Sequence, residues 1–117
     1  MKYLVDKAYV VEEGSTRFYE FRKGKLDYEH DENPHWKDDS LYIEDAAVYE
    51  LQLDTLFSET MEGYDCTCET VVTPQRWEIV KTHAFQVGGE WQGFIEEITP
   101  WVEDTFTVFE CFTISGM

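Results

Sequence analysis

His30, Asp31, Glu32 and His35 bring four potential metal ligands into one short stretch, the donor types that zinc or a hard cation would take. Their spacing matches no established metal signature, and Pro34 interrupts any regular face they could share. A solvated loop is the reading this favours. Cys66, Cys68 and Cys111 offer three thiols and are expected to be buried or half-buried structural cysteines. Ser15, Ser40, Ser58 and Ser115 lack the glycine frame of a nucleophile elbow, and His83 has no recognisable partner along the chain. No glycine-rich phosphate loop is present, and Gly88-Gly89 reads as a turn. Carboxylate pairs such as Glu96-Glu97 and Glu103-Asp104 suit a hydrolase, yet among 25 acids adjacent pairs arise by chance. The expectation is a protein that is not an enzyme and takes neither cofactor nor metal.

The acids carry more information through their distribution. Residues 1–37 hold seven Lys/Arg against eight Asp/Glu, whereas residues 38–117 hold two, Arg76 and Lys81, against seventeen. The whole chain carries a net charge of −16, beyond the magnitude of about two to eight that keeps a small domain soluble. Adaptation to high salt would shrink the apolar content, which stands at 43%. A body so charged repels itself until a cationic surface meets it. Anionic membranes and nucleic acid would repel it, so the expected partner is a basic protein, one whose usual ligand is nucleic acid.

These acids need a scaffold. A length of 117 residues fits one domain, and four Trp, seven Tyr and eight Phe supply a core. Acidic disordered tails are poor in aromatics, so the chain is expected to fold. The first twenty residues lack a secretory pattern, no apolar stretch reaches membrane-spanning length, and the odd cysteine count suits reduced thiols in the cytoplasm.

Alternation predicts strands over residues 2–11, 16–22 and 26–29, joined as a local meander, and a loop over 30–40. Residues 44–62 predict the principal helix, with Ala46, Tyr49, Leu53, Leu56, Phe57 and Met61 on one face and Gly63 as its stop; strict alternation over 49–54 keeps a strand as the rival. Further strands are expected over 70–73, 77–87 and 105–114, with 90–98 strand or short helix closed by Pro100. The architecture is therefore α+β, a mainly antiparallel sheet with one principal helix in a single compact domain. Most tryptophans belong in the core, with Trp36 in its polar loop the first candidate for a binding surface.

Carboxylates two apart on a strand lie about 6.6 Å apart, and those four apart on a helix about 6 Å, so either row can stand in for phosphates. Glu44, Asp45, Glu59 and Glu62 share the outer face of the predicted helix, flanked by Glu50 and Asp54, with Asp38 and Asp39 just before it. Glu90, Glu96, Glu97, Glu103 and Asp104 form a second group. Two rows on one rigid body would imitate the edges of a groove.

Length, cysteine and tryptophan content, the opening residues 1–7 and the acidic stretch 38–54 make the chain similar to the small bacterial DNA-mimic proteins that bind the histone-like nucleoid protein HU. The resemblance implies a non-enzymatic monomer that displaces DNA from an HU-like partner and is nucleoid-associated only through it. It assigns no individual binding residue. An immunity protein against a basic nuclease toxin, or a phage inhibitor of restriction or CRISPR machinery, has the same composition. A metal or hydrolytic role built on the 30–35 loop is the remaining alternative.

Overall fold

Among the described residues, chain-distant strands build the sheet. The computed structural model describes residues 2–13, 17–25, 29 and 37–116. Among them the order is α1 (Lys7–Glu13), β1 (Phe18–Lys23), β2 (Leu41–Glu44), α2 (Asp45–Leu51), α3 (Leu53–Thr60), β3 (Glu69–Val72), α4 (Pro74–Val87), α5 (Gly89–Phe106) and β4 (Phe112–Ser115). The sheet runs β2-β1-β4-β3, antiparallel throughout. Its centre joins the N-terminal and C-terminal strands, with Phe21 opposite Ile114. The α+β class holds, but among the described residues five helices outweigh the sheet where one principal helix was expected.

Period-2 alternation sorts the two faces of the sheet. Tyr19, Phe21, Ile43, Val72, Phe112 and Ile114 bury one face against the helices, where Val80, Phe94, Ile95, Ile98 and Val102 are inaccessible. On the opposite face Phe18 and Tyr42 meet Val10 of α1 in a smaller cluster. Glu20 lies between them, 3% exposed. Its carboxylate accepts from Ser40 Oγ at 2.6 Å and from the Lys37 amide at 3.0 Å, so the buried charge is hydrogen-bonded.

Several sequence expectations change. Residues 2–11 are no strand: Val5 alone bridges to Tyr42, and Asp6 caps α1 by accepting from the Tyr9 amide at 3.0 Å. Of the strand expected over 26–29, residues 26–28 lie outside the described residues, and so does 30–36 with its His/Asp/Glu cluster and Trp36. The helix expected over 44–62 is present but divided. Gln52 takes a left-handed conformation (φ 57°) between α2 and α3, and its side-chain amide donates to Tyr49 O at 2.8 Å.

Residues 77–87 are helix, not strand. Thr73 caps α4 by accepting from the Arg76 amide at 3.3 Å, and Pro74 occupies the first turn, where a missing N–H removes no bond. Apolar residues on both of its faces, buried Trp77, Val80 and Ala84 and exposed Ile79, Phe85 and Val87, mimic alternation. Gly88 and Gly89, with φ of 76° and 65°, turn the chain from α4 into α5. Pro100 does not close that helix. It sits on the exposed side, where water can satisfy the carbonyl it frees, while buried Ile98 and Val102 hold both flanks. Thr105 and Phe106 finish α5, so the strand expected over 105–114 is confined to β4. Among the described residues no helix is long and apolar enough to cross a membrane.

Candidate functional site

The thirteen acids expected to face a partner fall into two groups once their neighbours are known. In the first, the carboxylate is engaged inside the molecule. Glu97 of α5 accepts three successive backbone amides, from Lys2 at 2.6 Å, Tyr3 at 2.9 Å and Leu4 at 2.7 Å, and so pins the N-terminal segment. Asp54 of α3 accepts the Tyr64 hydroxyl at 2.5 Å and the Tyr19 hydroxyl at 3.1 Å, tying β1 and the 61–68 turn region to α3. Burial first, and the Asp54 carboxylate second, hold both phenols well above the ordinary tyrosine range. Asp104 meets Lys23 at 2.8 Å, Asp38 meets Lys7 at 3.0 Å, and Glu44 accepts the Tyr9 hydroxyl at 3.0 Å.

In the second group the carboxylates point outward. Asp39, Asp45, Glu50, Glu62, Glu90 and Glu103 are exposed and make no side-chain hydrogen bond or ion pair among the described residues. Glu96 accepts only from Gln92, one turn earlier, at 2.9 Å. Glu59 faces His83 across α3 and α4 at 3.0 Å. Seven residues return a helix almost to the same angle, so Glu96 and Glu103 share one flank of α5 while Glu90, Glu97 and Asp104 share the other. On the second flank Glu97 and Asp104 are drawn onto the N-terminal segment and Lys23, while Glu90 stays open. The first stays open, with its carboxylates about 10.5 Å apart along the axis. Three phosphate steps along one DNA strand advance about 10.2 Å along the duplex axis.

A single acidic row from Glu44 to Glu62 does not form. The left-handed Gln52 divides it, leaving Glu44, Asp45 and Glu50 with α2 and Glu59 and Glu62 with α3 and its end. The charge asymmetry along the sequence is also softened in space, because N-terminal Lys7 and Lys23 reach over to Asp38 and Asp104. The two cations beyond residue 37 are engaged within the molecule. Arg76 donates to the Val71 and Glu62 carbonyls at 3.0 and 3.4 Å, and Lys81 pairs with Glu78 at 2.8 Å.

Three features escape a reading from sequence. Asp65 is exposed in a turn, where the Thr67 amide and hydroxyl hold its carboxyl below the ordinary range; the Asp-x-Thr pattern could have flagged it. Cys66 and Cys68 are exposed, contrary to expectation, and Cys111 alone is buried, with its thiol pushed up by burial. The described tryptophans are anchored from within: Trp91 Nε1 donates to Leu51 O at 2.7 Å and Trp101 Nε1 to Asp39 O at 2.9 Å, while Trp77 is buried. Among the described residues no group of His, Cys, Asp and Glu gathers as a metal site. No family model, curated protein or solved structure matches the chain.

Proposed function

We propose that the protein binds a basic DNA-binding protein, of the HU-like histone type, and covers its nucleic-acid surface with carboxylates in place of phosphates. One observation carries this reading. The helical layer presents Asp45, Glu50, Glu62, Glu90, Glu96 and Glu103 to solvent, and both cations of that layer are turned to its own carbonyls or to Glu78. These six carboxylates therefore have no ion-pair partner among the described residues. Carboxylates fixed on helices are already placed for Lys and Arg, so less ordering entropy opposes association than for a flexible acidic tail. Long-range attraction speeds encounter, and the exposed pairs are screened within about 10 Å at 0.1 M salt.

The test is to immobilise the protein, pass a lysate of the source cell at low salt, and elute with salt and then with duplex DNA. Release of the same basic protein by both is the expected result. A bound protein that holds its DNA simultaneously would contradict mimicry. A second reading, an immunity protein that blocks one basic nuclease, is favoured by exposed Ile79 and Phe85, since apolar anchors serve a single partner better than phosphate imitation requires. Capture of one nuclease that resists DNA elution would select it.

A further inference from the structure

Cys66 and Cys68 stand in a turn, which the Cys68 amide closes by donating to Asp65 O at 3.2 Å. Cα atoms two apart in such a turn lie about 5.4 Å apart, just below the commonest separation across a disulfide, about 5.5–6 Å. A strand would send the two thiols to opposite faces. Here both adjoin the Asp65 carboxylate. Cys66 lines an open hollow of about 320 Å³ together with Asp65, Asp54 and Tyr64. Behind the Thr67 amide and hydroxyl, the Cys68 thiol helps to hold the Asp65 carboxyl below its ordinary range. Both thiols are free and exposed.

The C-terminal end of the sheet fixes this turn. The Gly116 amide donates to Cys68 O at 3.1 Å, and a Cβ on Gly116 would fall 1.9 Å from the Cys66 carbonyl oxygen. Folding, and not sequence proximity alone, therefore sets how the two cysteines face each other. We infer that Cys66 and Cys68 form a thiol–disulfide exchange site, one that takes small cationic disulfides of the aminothiol class and closes to an intramolecular disulfide. Cys66, facing the hollow, attacks one sulfur of the incoming disulfide. A mixed disulfide forms on Cys66, and the first aminothiol leaves with the Cys66 proton. Cys68 then attacks the Cys66 sulfur, and the second aminothiol leaves with the Cys68 proton. The cysteine pair is thereby oxidised by two electrons and the reagent reduced by two. Charge sets the class of reagent. Asp54 and Asp65 line the hollow, and among the described residues no Lys, Arg or His does. A cationic disulfide is drawn in, and an anionic one such as glutathione disulfide is repelled. The exchange site is independent of the proposed function.

The probe is cystamine, compared with glutathione disulfide and with neutral 2-hydroxyethyl disulfide, and the products are read by mass spectrometry. The wild type is expected to lose both thiol hydrogens and retain no reagent, whereas Cys68→Ser stops at a mixed disulfide on Cys66. Cystamine should react about tenfold faster than glutathione disulfide at low salt, and added salt should narrow the gap. Asp65→Asn, which keeps a turn-forming side chain, should narrow it as well. Unfolding in urea should lower the effective concentration of Cys68 for the Cys66 mixed disulfide about tenfold or more. Circular dichroism checks that both variants fold, and the wild type alone carries the reagent and urea comparisons. Stable mixed disulfides on both cysteines would overturn the inference. So would ring closure as favourable in urea as in the native state, or equal rates with the cationic and anionic reagents.

Discussion

The carboxylates that face β1 and the N-terminal segment and those on the outer surface of the helices are used in opposite ways. Around β1 and the N-terminal segment, Glu20, Asp54 and Glu97 are surrounded by donors and hold chain segments together. On the outer surface of the helices, the carboxylates of Glu50, Glu62, Glu90 and Glu103 make no hydrogen bond or ion pair among the described residues. The same residue types thus split into fasteners and free charge, and the split follows neighbours, not position in sequence. An acidic composition is not in itself a binding surface; only the acids without an internal donor can serve one.

The sharpest way to break this contrast is to delete carboxylates of each kind singly. Asp54→Ala leaves the Tyr19 and Tyr64 hydroxyls without their acceptor and is expected to cost about 3 kcal/mol in urea unfolding, at about 1–3 kcal/mol for each stranded group. Glu97→Ala releases three backbone amides, one of them exposed, for about 2 kcal/mol. Glu62→Gln, Glu90→Gln and Glu103→Gln should each stay within about 0.5 kcal/mol of the wild type. Equal losses on both sides would erase the distinction.

Alkaline pH sharpens it next. Tyr19 and Tyr64 keep their protons when folded at pH values where the unfolded chain, with tyrosines near 10.0, has released them. The folded state then holds more protons, so stability is full below pH 10.0 and falls as pH rises above it. Asp54→Asn should flatten that fall, read by urea midpoints on either side of pH 10.0 together with tyrosinate absorbance. An unchanged slope would remove Asp54 from the network. The smallest effect concerns the thiols. Cys66 and Cys68 should alkylate rapidly in the native state and Cys111 only on unfolding, so mass spectrometry should show two fast additions.

The α+β class and β1 were legible because alternation and aromatic content carry them. The Thr73-Pro74 start of α4 was also written in the sequence, but Trp77, Ile79, Phe85 and Val87 outweighed it as apparent alternation. That misreading has a physical origin: a helix that buries one face and leaves the other apolar has no clean 3.6-residue period. Pro100 misled for a complementary reason, since packing at Ile98 and Val102 overrides local helix breaking. The acids were visible as a surplus. Which of them were fasteners depended on contacts such as Glu97 with Lys2, 95 positions apart, and no local pattern encodes these.

The most direct test of the central claim is competition at equilibrium. Duplex DNA is titrated against the complex of this protein with its captured basic partner over a series of salt concentrations, for the wild type and for Glu62→Gln/Glu96→Gln/Glu103→Gln. The account predicts mutually exclusive binding and a shallower salt dependence for the variant, because each lost carboxylate removes a salt-sensitive contact. A ternary complex with DNA, or a variant with the wild-type affinity and salt slope, would contradict it.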